Sequence, residues 1–551
     1  MKKILCMIAF LLVAIGYGQI NPTFELQQAD VFADQGLIQG TVVAGDFDND
    51  NDDDLSLTGV IATTSNTVVR SQFYTNNDSQ YVINSSMSIQ DVTDSDVAVA
   101  DFDNDGDDDI IYGGRNLNGD VLEYLENLGG ENFSSKGCNS LGPGMYSLSI
   151  AVGDVDNDGD LDVFISGIED SDAVAMLLIN DGNGCFSDSG QVFVGLPAGD
   201  SALVDIDNNG FLDLVYFGVL SQLPKTIVRM NTGGTFGPPV ANNAGLPDLA
   251  AGGISAGMID NNNSVDLLLS GSTGNKFGGI AFNNGNGIFN IDTQSLPQAS
   301  FGSTDLADVD NDGDLDGLIT GDIDNNSQNI TKLLINDGNG NMSVSNQQFQ
   351  GVFEGKAIFF DSDGDEFPEI FVLGNTGTGF PNNQPFAGFY KNLTGQVDSD
   401  GDGTPDVNDD EPNDPCIGGT PGEHDPTNPV WQNADCDNDG VRNADDECPE
   451  TEPGTNVGTN GCMILGIDDN DFDTAITLYP NPASDRVFID IADNSGITIQ
   501  SIQGYNQLGQ KILDIQGSAD SIDISAYSTG IIFVHIISDD NSITVKKIIK
   551  Q

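Results

Sequence analysis

The 551-residue chain sets 17 lysines and arginines against 86 aspartates and glutamates, a formal net charge of −69. That balance argues against nucleic acid, whose phosphates need cationic contacts, and against an anionic membrane surface. The length exceeds one ordinary domain, and so many carboxylates in compact units call for a neutralising cation.

Residues 1–18 read as a secretory signal. Lys2 and Lys3 precede an apolar run, Ile4 to Ile15, that is too short to span a bilayer. Gly16 and Gly18 supply small residues for cleavage, which places the mature N-terminus at Gln19. Cys6 lies too early in the segment for a lipoprotein anchor, and no later run reads as transmembrane. Six cysteines remain: Cys138, Cys185, Cys416, Cys436, Cys448 and Cys462. An even number in an exported chain fits disulfides.

Between residues 19 and 396 an Asp-rich nonapeptide recurs, starting at Asp46, Asp101, Asp154, Asp205, Met258, Asp308 and Asp361. The spacings are 55, 53, 51, 53, 50 and 53 residues. Each loop lies between two apolar runs, such as Val97 to Ala100 and Ile110 to Tyr112. A third run ends in Asn, as in Leu177 to Asn180, and a Gly-rich turn opens a fourth. These are strand and turn signals without helical periodicity. The chain is therefore predicted to be all-β, its seven units forming a seven-bladed β-propeller of four-stranded blades. The seventh unit stops after its third strand, near Tyr390 and Asn392. The run from Phe24 to Gln28 is expected to supply the missing strand and close the ring.

The loops carry the chemistry. Calcium takes six to eight oxygen ligands at about 2.3–2.6 Å. Positions 1, 3 and 5 direct three side-chain oxygens into one concavity, position 6 makes the turn, and an acid at position 9 closes the cage. The candidate ligands are Asp46, Asp48, Asp50 and Asp54 in the first loop, and Asp101, Asp103, Asp105 and Asp109 in the second. The third offers Asp154, Asp156, Asp158 and Asp162, and the fourth Asp205, Asp207, Asn209 and Asp213. The sixth offers Asp308, Asp310, Asp312 and Asp316, and the seventh Asp361, Asp363, Asp365 and Glu369. Met258 at position 1 leaves the fifth loop a poor site, and Asn51 replaces Gly at position 6 of the first. An EF-hand is the rival reading, but it needs flanking helices and a Glu at position 12, where Tyr112, Ile165 and Ile319 stand. At tenfold excess over Kd, each ion would add about 1.4 kcal/mol of stability.

These units resemble the FG-GAP repeats of integrin α-subunit propellers and the VCBS-type repeats of bacterial surface proteins, over about residues 22–395. The resemblance implies that the Asp loops join the first two strands on one face. It also implies that ligands meet the opposite face, on loops including 114–120, 168–174, 219–226 and 375–386.

Residues 397–465 change character. Asp398-Ser-Asp-Gly-Asp-Gly-Thr-Pro-Asp406 and Asp435-Cys-Asp-Asn-Asp-Gly440 resemble thrombospondin type 3 repeats, in which calcium and disulfides replace an apolar core. The resemblance implies the ligands Asp398, Asp400, Asp402, Asp406 and Asp409, then Asp435, Asp437, Asp439 and Asp446. Asn443 departs from the usual Asp and weakens the second site. Four cysteines allow three pairings. Cys416–Cys436 with Cys448–Cys462 is the expected one, in a calcium-stiffened stalk.

Residues 474–551 carry only 8 acidic and 5 basic residues. Leu478-Tyr-Pro-Asn-Pro482, alternating Arg486 to Ile491, Leu508-Gly-Gln510, Tyr527 to Val534 and the terminal lysines form a small β-sandwich pattern. They resemble the type A C-terminal sorting domain of the Bacteroidetes type IX secretion system. That resemblance implies the type IX machinery as a partner, export across the outer membrane, and release or display at the cell surface.

Catalysis is not expected. The two histidines, His424 and His535, lie outside the propeller, and most carboxylates are assigned to calcium. Arg70, Arg115 and Arg229 are scarce cations there, and the single Trp, Trp431, sits in the linker. The leading expectation is a non-catalytic adhesin binding an unidentified extracellular protein or glycan. A polysaccharide-binding or polysaccharide-degrading accessory and a purely structural spacer are the alternatives.

Overall fold

The computed structural model describes residues 22–394 apart from 28–31, 33–35, 51, 63–66, 78, 79, 86, 88, 130, 131, 137–140, 294, 295, 325–327, 366, 380 and 381. It further describes 416, 428–437, 439–446, 448, 457–460, 462, 471–492, 498–539 and 542–551. Residues 1–18, read above as a secretory signal, lie outside the described residues. Two compact units divide near residue 400.

The first unit is all-β. Seven small antiparallel sheets follow one another along the chain, each a meander. The second sheet, for example, runs Thr93–Ala100, Asp109–Asn116, Gly119–Asn127 and Phe133–Ser135. β-Branched and aromatic residues fill the second strands, which are buried on both faces, as in Asp213–Leu220. The fourth sheet departs from the expected four strands. It keeps three, with only an isolated bridge from Asn231 to Phe236 beyond them. Pro238 and Pro239 follow at once, and neither can donate to a ladder.

The seventh sheet contains Phe353–Phe360, Glu369–Asn375 and Pro385–Asn392. Its fourth strand is Phe24–Gln27, paired antiparallel from Phe24 opposite Asn392 to Gln27 opposite Phe389. The N-terminal strand thus stands where the sequence places it, covering an edge that would otherwise expose unpaired backbone.

Apolar clusters sit between successive sheets. Phe47, Phe73, Tyr112 and Leu125 join the first sheet to the second, and Phe102, Tyr124, Ile165 and Leu178 join the second to the third. The series ends with Leu57, Tyr74, Tyr81, Phe371 and Phe389, which join the seventh sheet back to the first. First strands also neighbour one another in order, and Phe353–Phe360 meets Val42–Gly45. The arrangement is cyclic.

A second, nearly closed ring of backbone bonds links the entries of the first strands. Gln39, Asp94, Ser147, Ala198, Ala251, Phe301 and Glu354 all adopt left-handed φ values between 48° and 57°. The N–H of Asp94 donates to the Gln39 carbonyl (2.7 Å), Ala198 to Ser147 (3.1 Å), Ala251 to Ala198 (2.8 Å) and Phe301 to Ala251 (2.6 Å). Glu354 donates to Phe301 (2.7 Å), and Gln39 returns to Glu354 (2.8 Å). Inside it lies an axial cavity of about 610 Å³ lined by Asp96, Asp200, Asp305 and Lys356.

In the second unit, Ile476–Tyr479, Arg486–Ile491 and Ser521–Asp523 form one sheet. Lys511–Gln516, Ile499–Tyr505, Gly530–Ser538 and Ile543–Lys550 form another. They share a core that includes Val487, Ile502, Ile522, Val534 and Ile548. Nearer the linker, Cys416–Cys436 and Cys448–Cys462 are disulfide-bonded. Cys185 is also disulfide-bonded, and Cys138 lies outside the described residues.

Candidate metal centres

Every Asp loop joins the first strand of a sheet to the second. Position 9 opens the second strand opposite the last residue of the first, as Asp109 does opposite Ala100 and Asp162 opposite Gly153. Its outer oxygen accepts the N–H of position 2 (Phe47, Phe102, Val155, Ile206, Ile259, Val309 or Ser362) at 2.8–3.3 Å. In the first six sheets its other oxygen accepts the N–H of the Asn that ends the third strand, at 2.7–2.9 Å. Position 9 is thus a buried carboxylate pinned from two sides. Burial lifts Asp162, Asp213 and Asp266 to about 6, Asp54, Asp109 and Glu369 to about 7, and Asp316 to about 8. A cation beside such a group restores its charge.

Position 1 shapes the turn. Asp101, Asp154, Asp205 and Asp308 each accept the N–H groups of positions 5 and 6, at 2.8–3.1 Å. Position 4 is left-handed, at φ 54–70°, in Asn49, Asn104, Asn157, Asn208, Asn311 and Gly364. Asn and Gly are the residues that tolerate this region. The motif reading assigned the turn to position 6 alone, so the requirement at position 4 was missed. Asn51, the first loop's position 6, lies outside the described residues.

The carboxylates converge as the spacing requires. One oxygen from each of Asp46, Asp48 and Asp50 lies within 4.8 Å of the others. The same holds for Asp101, Asp103 and Asp109; Asp154, Asp156 and Asp162; Asp205, Asp207 and Asp213; and Asp308, Asp310 and Asp316. At position 3, Oδ1 of Asp103, Asp156, Asp207, Asp310 and Asp363 is buried without a hydrogen-bond partner among the described residues. Oε1 of Glu369 is in the same condition. Buried carboxylate oxygens that face one another and accept nothing fit a divalent cation better than an empty turn. Position 5 (Asp105, Asp158, Asn209 and Asp312) sits at the exposed lip and accepts the N–H of position 7 at 2.8–3.2 Å.

The copies differ. Without an Asp at position 1, the fifth loop uses Asp260 to accept the Asn262 N–H at 3.0 Å, and Asn263 takes the left-handed turn at φ 61°. The seventh loop turns at Gly364, which donates to Asp361 at 2.9 Å, while Asp365 accepts from Phe367 at 2.9 Å. Two loops carry a lysine: Lys136 lies 2.8 Å from Asp103, and Lys391 lies 2.8 Å from Asp363.

One constellation escaped the sequence reading. The Asn closing each third strand is buried, and its Nδ2 donates to the position-2 carbonyl of the preceding unit at 2.6–3.0 Å. These are Asn127, Asn180, Asn231, Asn283, Asn336 and Asn392, with Asn76 reaching Ser362 across the closure. Its signal was the Asn at the end of the third run, seen only as an element boundary. The scarce arginines are engaged: Arg115 stacks on Tyr146 at 3.4 Å and pairs with Asp120, and Arg229 stacks on Phe193 at 4.6 Å.

In the linker, Asp398, Asp400, Asp402, Asp406 and Asp409 lie outside the described residues. Around Asp435 the loop repeats the geometry of the Asp loops of the first unit. Asp435 accepts from Asp439 at 3.2 Å and from Gly440 at 3.0 Å, and a buried oxygen of Asp439 has no partner among the described residues. Asp437 and Asp446 complete the acidic set, and neighbouring charges add to burial in raising Asp446. Asn443 holds the Cys436 N–H at 3.2 Å, so its amide supports the disulfide.

Residues 101–165 match the FG-GAP-like repeat family, and residues 477–551 match the secretion system C-terminal sorting domain. No curated protein matches. Among solved structures, PorZ, a surface component of the type IX secretion system of Porphyromonas gingivalis, aligns at 11% identity and a TM-score of 0.37. That alignment covers 92% of this chain and 60% of PorZ, so the chain spans less than two thirds of it. The Aleuria aurantia lectin, complexed with α-methyl-L-fucoside, aligns at 12% and 0.35 over 56% of this chain and 96% of its own. The V. cholerae biofilm matrix protein Bap1 aligns at 11% and 0.37 over 68% and 91%. With scores this low, fold and function rest on the geometry of the chain itself.

No helix among the described residues is long and apolar enough to cross a membrane.

Proposed function

We propose that the chain is a calcium-loaded, seven-bladed β-propeller, exported through a type IX route and carried at the bacterial cell surface as a non-catalytic binding protein. The cyclic order of seven sheets supports the propeller, and the C-terminal sorting domain supports the route. The observation that carries calcium is the recurrent orphaned oxygen at position 3, buried within reach of two further carboxylates in the second, third, fourth and sixth loops. Oxygen-only donors around a nine-residue turn suit a hard cation, and calcium tolerates irregular geometry better than magnesium.

In this reading the ions hold the fold and leave the opposite face free for a partner. The ionised cages make poor general acids, which disfavours hydrolysis. The Asp435 loop is a further calcium site that stiffens the linker between its two disulfides. Calorimetric titration of chelator-stripped protein tests the reading. About six ions are expected from the propeller loops other than the fifth, with more from the linker, each at a Kd of ~10⁻⁴–10⁻³ M or tighter. No calcium-dependent heat, together with a Tm indifferent to EGTA, would sink it.

A further inference from the structure

On the face opposite the Asp loops, a cleft of about 600 Å³ opens between the fifth and sixth sheets. That size suits a small-molecule ligand. Beside it stands Phe301, a member of the left-handed ring at φ 57°, with half of its surface (50%) exposed. A bulky side chain in this region is strained, and Ala198 and Ala251 show that the position is filled elsewhere by a methyl group alone. Phe301 belongs to none of the apolar clusters and stacks on no other ring among the described residues. Strain without packing points to a use at the surface.

The rest of the cleft is polar and fixed in place. Lys276 donates to the Asp322 carbonyl at 2.9 Å and pairs with the buried Asp322 carboxylate, which leaves the third ammonium proton for the cleft. Gln298 donates Nε2 to the carbonyls of Gly278 (2.7 Å) and Leu296 (3.2 Å), so its Oε1 remains as an acceptor. Asn275, exposed on the turn, offers both amide functions.

We propose that this cleft binds one neutral hexopyranose unit, with its C–H face on the Phe301 ring and its hydroxyls on Asn275, Gln298 and Lys276. An aromatic face is electron-rich and attracts the polarised C–H groups of a sugar. The flanking donors and acceptors suit hydroxyls, which need both. An anionic sugar fits poorly, because Asp322 and Asp324 outnumber the single lysine. The site names a ligand class for the surface-binding reading above and rests on it.

Saturation-transfer NMR of the full secreted chain in calcium tests the site, using the methyl glycosides of glucose, galactose, mannose and N-acetylglucosamine as probes. Transfer to the C–H protons of at least one probe is expected. It falls at least tenfold in Phe301→Ala and Phe301→Gly and persists in Val192→Ala, a change at an exposed position beyond the last strand of the third sheet. Phe301→Gly relieves the left-handed strain, so its Tm should equal or exceed that of the parent, which separates lost binding from lost folding. Undiminished transfer in Phe301→Gly, or none from the parent to any probe, overturns the site. A Tm insensitive to chelator overturns the calcium reading instead, and the sugar experiment still stands or falls by itself.

Discussion

At the scale of single residues, each unit turns on one buried carboxylate and one buried amide. Asn283 shows what the amide does. Its Nδ2 meets the carbonyls of Ile206 (2.8 Å) and Val265 (3.1 Å), and its N–H meets Asp266 (2.8 Å). Asn283→Ala keeps the backbone bond and strands two buried carbonyls, so a loss of about 2–4 kcal/mol is expected in urea unfolding. A loss below about 0.5 kcal/mol would mean that the amide bonds contribute little net stability. The carboxylate side of the unit is tested at the worn fifth loop. Asp260 and Asp266 are in place there, and only position 1 lacks an oxygen. Met258→Asp should add one calcium ion to the titrated total and raise Tm in calcium but not in EGTA, where the added charge has no partner. The clustering of carboxylates was readable because acids alternate along nine consecutive residues. The amide was not, because its partner lies 77 residues away in the preceding unit.

At the scale of elements, loop and strand order follow from local rules, whereas closure depends on partners far apart in the chain. The Asp loops are joined sideways by their left-handed Asn. Asn104 donates to Asp160 at 2.9 Å, Asn157 to the Gly210 carbonyl at 2.8 Å and Asn208 to Ser264 at 3.4 Å. Order in one loop is therefore passed to the next. The N-terminal strand was legible because the seventh unit ends one strand short and residues 24–28 begin one strand early. The shortened fourth sheet was not foreseen, although Pro238 and Pro239 stood in the sequence, because the blade pattern was extended uniformly across every unit. Deleting Phe24–Gln27 leaves Pro385–Asn392 as an open edge and removes Phe24 from its contact with Phe349, 5.5 Å between ring centroids. The deletion should lower Tm and shift part of the protein to dimers or larger species in size-exclusion chromatography, as bare strand edges pair. An unchanged Tm with a monomeric profile would show that the strand is dispensable for closure.

At the scale of the whole molecule, acids are placed in two different settings, and pH separates them. Around the Asp loops they face one another across a few ångströms. On the axis, Asp96, Asp200 and Asp305 come from alternate sheets, and each accepts a backbone N–H from the sheet that follows: Ile150 (2.9 Å), Ile254 (2.9 Å) and Phe359 (2.8 Å). They staple first strands together around the cavity, with Lys356 as the charged neighbour of opposite sign. Burial raises all three, Asp200 and Asp305 to about 6, and Asp96 adds to the effect on Asp200 while Lys356 opposes it. A carboxyl raised on folding binds its proton more tightly in the folded state. Its contribution is complete below the ordinary Asp value of 3.8 and is lost as pH rises through about 6. In saturating calcium, which holds the loops constant, the doubly substituted Asp200→Asn, Asp305→Asn protein cannot lose that contribution. Its Tm relative to the parent should therefore climb between pH 4 and pH 7, with most of the change between pH 4 and pH 6. Parallel Tm profiles across that window would mean that the axial acids are no harder to ionise in the folded chain than in the unfolded one, and that the cavity is wet enough to treat them as surface groups.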